Sequence, residues 1–138
     1  SALGPAGELA QLPGSWRLAQ ATLAASAAGA LPAAELLNAE DHLADLLLFE
    51  GAELVGRIGS SRLASLDSLT PKARARMEET GLAYVRHGGN AVEMAAALHL
   101  HPQTVRYRIA RLRELFGEQL QDPDARFELE IALRAGNR

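Results

Sequence analysis

Between Gly89 and Gly117 the chain carries two sets of helix-forming signals separated by only three residues, and no other feature constrains the fold as much. Asn90 is a preferred N-cap residue, and Glu93 three positions later completes the pattern of a capping box. A short helix over Ala91–Leu98 then places Val92, Ala95 and Leu98 on its inner face, with Ala95 small enough for a second helix to cross closely. The turn is His99-Leu100-His101, an apolar plug between two histidines. Glycine is common at the first of these positions; His tolerates a positive φ better than most residues. Pro102 opens the second helix, because its fixed φ suits the first helical position and its missing N–H would be unpaired there anyway. Val105, Ile109, Leu112 and Phe116 follow as one narrow apolar stripe. Two short helices joined this tightly are expected to cross at a large angle, as a helix-turn-helix.

The outward face of the second helix carries the chemistry. At about 100° per residue, Gln103, Tyr107, Ala110 and Arg111 lie roughly opposite the stripe, with Thr104 and Arg106 beside them near the N-terminus. Gln can pair with adenine N6 and N7, Arg can fork onto guanine O6 and N7, and Thr can touch a thymine methyl. Gln103, Thr104, Arg106, Tyr107 and Arg111 are therefore the candidate base-reading residues. Arg108 and Arg113, towards the flanks, suit phosphates, as do Lys72 and Arg86. An Arg-rich helix with one apolar stripe is also what an ordinary solvated surface helix looks like. The coincidence of cap, small residue, short turn, plug and proline start separates the two readings.

Charge agrees with a nucleic-acid partner once it is resolved along the chain. The net charge is −3, but from Pro71 to Arg113 eight Lys and Arg face three Glu, against six bases and fourteen acids elsewhere. A basic island in an acidic chain can form one positive face.

Elsewhere the punctuation is helical and the class is all-α: a helix-turn-helix domain over residues 63–138 with a helical annex over 1–62. Ser15 can cap a helix running through Trp16, expected as a core anchor, to about Ala28, before Gly29 and Pro32. Leu31 to Asn38 reads as a short link and the one place for a strand. Further helices are expected over Glu40–Phe49 and, after Gly51, through Leu54, Ile58 and Leu63. Thr70-Pro71 starts another, ending at His87-Gly88-Gly89, and Asp122-Pro123 starts the last, ending near Gly136. With 48% of residues hydrophobic but only 4% aromatic, Leu and Ala must fill the core, which suits close-packed helices.

The run Gly89-Asn90 … Ala95 … Leu98-His99-Leu100-His101-Pro102-Gln103-Thr104-Val105-Arg106-Tyr107-Arg108 … Leu112 … Glu114-Leu115 resembles the C-terminal helix-turn-helix of PucR-type bacterial regulators. It is distantly similar to the DNA-binding end of Fis. Asp122-Pro123 … Arg126-Phe127 … Leu129 … Ala132-Leu133 resembles the family's closing helix, and Leu69 to Gly88 its opening one. The chain departs from the pattern at Pro102 and Gln103, where the family commonly has a basic residue and Asn. The resemblance implies a DNA-binding transcriptional output module behind a larger sensing region of the same chain. The N-terminal stretch is loosely similar to the tail of the degenerate GGDEF-like domain that often precedes the module. A chain beginning at Ser1 is accordingly expected to be a fragment of something longer.

Enzymatic, metal and cofactor chemistry is not expected. There is no Cys, and His99 and His101 share a turn with no carboxylate near enough in sequence to complete a zinc set. Glu40, Asp41 and Asp45 crowd a helix start, where acids complement the dipole. No apolar run is long enough to span a membrane and no signal peptide is present, so a cytoplasmic location is expected. The expected partners are double-stranded DNA and a second copy of the chain. Leu46, Leu47, Leu48, Phe49, Leu54 and Val55 offer more apolar surface than one short helix needs for docking. The competing reading is a helical interaction or assembly module that has lost DNA binding.

Overall fold

The computed structural model describes residues 1–136; the last two residues of the 63–138 domain lie outside the described residues. The chain divides into two compact units, Ser1–Ala52 and Glu53–Arg138.

In the first unit, β1 (Ala2–Leu3) pairs in parallel with β2 (Leu37–Asn38), Ala2 opposite Leu37. Between them runs α1 (Leu12–Ala27), and a 3₁₀ turn leads from β2 into α2 (Leu43–Glu50). Ala25, Leu31, Leu37, Ala39 and Leu46 form its small core. The expected strand position holds, but β1 was not anticipated: two-residue strands carry no readable alternation. Ser15 does not cap α1, which begins at Leu12 with Pro13 in its first turn; the proline's fixed φ seeds the helix ahead of the serine. Trp16 is not a core anchor either. It is 65% exposed, because Leu18, Ala21, Thr22 and Ala25 define the inward side of α1 and Trp16 lies half a turn away. Leu46 is likewise committed to this core, which removes it from the spare apolar surface.

The second unit is all-α: α3 (Ala52–Arg62, its first residue falling in the first unit), α4 (Pro71–Arg86), α5 (Ala91–Leu98), α6 (Pro102–Phe116) and α7 (Pro123–Gly136), bringing the described α-helices to seven. Leu66, Met94, Val105, Leu112, Leu120, Leu129 and Leu133 are almost wholly buried at its centre. The starts are built as read. Thr70 Oγ1 accepts from the Ala73 N–H at 3.2 Å, and an Asp122 carboxylate oxygen accepts from the Ala125 N–H at 2.8 Å. Gly81 lets α4 and α7 approach, since a Cβ there would stand 3.1 Å from Leu133 Cδ1. Arg62 Nε donates to Glu128 at 2.7 Å, joining the end of α3 to α7. Arg74 donates to Asp67 at 2.8 Å and to Glu78 at 2.9 Å, bonds that push its guanidinium further above its ordinary range, Asp67 first.

Candidate nucleic-acid interface

The turn between α5 and α6 is closed from both sides. Asn90 Oδ1 caps α5 by accepting from the N–H groups of Val92 and Glu93 at 3.0 and 3.2 Å. The reciprocal half of the capping box does not form. The Asn90 N–H donates to the His87 carbonyl instead, and the Glu93 carboxylate stands 3.7 Å from His87 Nδ1. At the other end His99 takes φ 55° and ψ 43°, alone among described non-glycine residues in having positive φ. The Leu100 N–H returns to the Ala95 carbonyl at 3.0 Å, and the Leu100 side chain packs against the core. His99→Val should lower the stability of this unit by about 1–2 kcal/mol in denaturant unfolding, because a β-branched side chain clashes in the left-handed region. An unchanged midpoint would show that the turn relaxes freely.

His101 then starts α6 in a way its neighbours in sequence did not announce. Its Nδ1 accepts from the Gln103 N–H at 3.1 Å, so the imidazole is the N-cap and Pro102 is the first helical residue. Val105, Ile109, Leu112 and Phe116 are all buried, as the periodicity required. The inner face of α5 differs from expectation. Ala95 is buried and Leu98 half-buried, but Val92 is 62% exposed and Met94 is fully buried in its place.

The candidate readers now have positions. Gln103, Thr104, Arg106, Tyr107 and Arg111 are all exposed, Tyr107 at 75%. Arg106 Nη1 donates to Gln103 Oε1 at 3.3 Å, and Arg111 Nη1 to Glu114 at 2.9 Å. The four phosphate candidates are not brought together. Arg108 turns towards α4, its guanidinium 3.9 Å from Glu79 and its side chain only 16% exposed. Arg113 is exposed on the opposite flank of α6. Lys72 and Arg86 stand at opposite ends of α4, about 21 Å apart along its axis. Among the described residues, no carboxylate approaches Lys72, Arg76, Arg86, Arg106 or Arg113 within ion-pair distance. Arg76 is the residue that sequence reasoning passed over. It shares a groove of about 510 Å³ with Thr104, Tyr107, Arg108 and Arg111, floored by Leu69, Ala73 and Met77. Its spacing of four from Lys72 was the available signal. No group of three or more His, Cys, Asp or Glu placed to hold a metal occurs among the described residues, and no described helix is long and apolar enough to cross a membrane.

A capped short helix, a three-residue turn and a second helix with one buried stripe and a polar, cationic outer face make this a helix-turn-helix domain, the class that serves regulators as DNA-binding output. Residues 78–135 match the family of the PucR C-terminal helix-turn-helix domain, and this segment is a PucR-type helix-turn-helix region. The chain is also 33% identical over 93 residues to a protein of Thermomonospora curvata described as an uncharacterized protein in the pkwA 5′ region. That match takes in 67% of this chain and 49% of the relative, so the chain spans about half the length of the curated protein it resembles.

Proposed function

We propose that this chain binds duplex DNA sequence-specifically as the output end of a bacterial transcriptional regulator, with α6 in the major groove. The observation that carries the reading is the segregation of α6: its apolar stripe is buried while Gln103, Thr104, Arg106, Tyr107 and Arg111 are exposed on the other side. Gln103, Thr104, Arg106, Tyr107 and Arg111 read bases; Lys72, Arg86, Arg108 and Arg113 neutralise phosphates. A single helix in one groove buries only about 600–1,000 Å². The working unit is therefore a homodimer presenting two α6 helices about 34 Å apart, one helical turn of DNA. It acts in the cytoplasm, behind a sensing domain of the same chain.

Selection of bound sequences from a random duplex pool tests this directly, and recovery of no enriched motif would end the sequence-specific reading. On the selected site, Gln103→Ala or Arg106→Ala should relax the preference at a particular base pair, costing about 1–3 kcal/mol. Because the two side chains touch, the double variant should cost less than the sum of the singles. Arg113→Ala should instead weaken all sequences alike and flatten the salt slope by about one ion. Uniform losses from all three would refute the division of labour. Arg108→Ala is a poorer probe, because it also removes buried packing against α4.

A further inference from the structure

We infer that the groove between α4 and α6 holds the sugar-phosphate strand beside the reading helix, and that Arg76 is its charged ligand, an inference that rests on the DNA-binding reading above. The groove has the alternating chemistry of a nucleic-acid backbone. Its floor of Leu69, Ala73 and Met77 is apolar, as the face of a deoxyribose is, and its rim carries the guanidinium of Arg76, as a phosphate requires. The rim cations differ in availability. Arg111 is held by Glu114 at 2.9 Å, and Arg108 faces Glu79 at 3.9 Å. Arg76 has no acidic partner among the described residues, so it is the guanidinium that loses least by turning to a phosphate. Lys72 lies one helical turn before it on α4. α4 thus grips the backbone beside α6, and the grip carries no base preference because Arg76 touches no base edge.

The test uses the full chain on its selected site, reading the salt slope of affinity and the hydroxyl-radical footprint, which reports the exposure of each deoxyribose. Arg76→Ala should weaken selected and random duplex alike, flatten the slope by about one ion, and expose sugars on one strand flanking the site. Arg76→Lys should keep the slope. Ala73→Asp, in the first turn of α4 where an acid is tolerated, should expose the same sugars by setting a carboxylate in the floor. An unchanged slope and footprint for Arg76→Ala would overturn the proposal while leaving DNA binding by α6 intact. So would a loss confined to one base pair. Wild-type protein that protects no duplex would overturn both readings together.

Discussion

For each bound copy of the chain, affinity for duplex DNA should fall by about two orders of magnitude between 50 and 200 mM salt. Each phosphate neutralised by Lys or Arg contributes about −0.9 to the slope of log affinity against log salt. Lys72, Arg86 and Arg113 have no acidic partner among the described residues, and the Arg108–Glu79 pair at 3.9 Å is loose enough to yield to a phosphate. These four contacts, before Arg76 adds about one ion more, give a slope of about −3.6, and a fourfold rise in salt then costs about 150-fold in affinity for each bound copy. In a dimer the two slopes add and the loss squares. The chain's overall negative charge does not cancel this, because the bases are concentrated in the segment carrying α4 to α6 while most acids lie elsewhere in sequence. Fluorescence anisotropy with a labelled duplex measures the slope, and a value shallower than about −1 would leave no phosphate-anchored complex to explain.

The second large effect concerns two residues two positions apart. Met94→Ala should destabilise the Glu53–Arg138 unit by about 2–5 kcal/mol, the range for emptying a buried Met site. Val92→Ala should shift stability by no more than about 0.5 kcal/mol, as surface substitutions do. Met94 is fully enclosed at the centre of the core, whereas Val92 meets solvent for most of its surface. The Met94 variant should also lose DNA binding on warming well before the wild type, since α6 is oriented by the same core. Chemical denaturation of both variants settles the comparison, and equal losses would show that α5 is rotated from the face described.

The contrast between these two residues shows which parts of the fold were legible. The starts of α4, α5, α6 and α7 were readable because each is set locally, by a side chain and the N–H groups two or three residues on or by a proline: Thr70, Asn90 and Asp122 cap as expected, and Pro102 sits where its missing donor is harmless, whereas Pro13 displaced the start expected at Ser15. The α6 stripe was legible because four large apolar residues at helical spacing leave no second choice of face. The α5 face was not, because in Ala91–Leu98 nearly every residue is apolar and the pattern alone cannot choose between Val92 and Met94. Trp16 failed for a different reason: hydrophobicity says what burial would gain, not whether a neighbour exists to cover it. Much of the candidate interface was legible as one helix face. The groove that Arg76 shares with α6 was not, because it depends on α4 lying beside α6, a tertiary relation between residues about thirty positions apart.

The closed turn bears on the entropy of association. His99 terminates α5, His101 caps α6, and Leu100, half-buried against the core, returns its N–H to Ala95, so the backbone path between the helices is held at each of its three residues. α6 is thus pre-set in its orientation, and on the proposed function meeting a duplex need not freeze a hinge. What remains to be ordered is a handful of side chains, at about 0.5–1.5 kcal/mol for each long one immobilised. Gln103 with Arg106 and Arg111 with Glu114 are already partly restrained by their mutual contacts. Complex formation should therefore proceed as rigid-body docking, its speed governed by electrostatic steering and its lifetime by the fit of α6 to the bases.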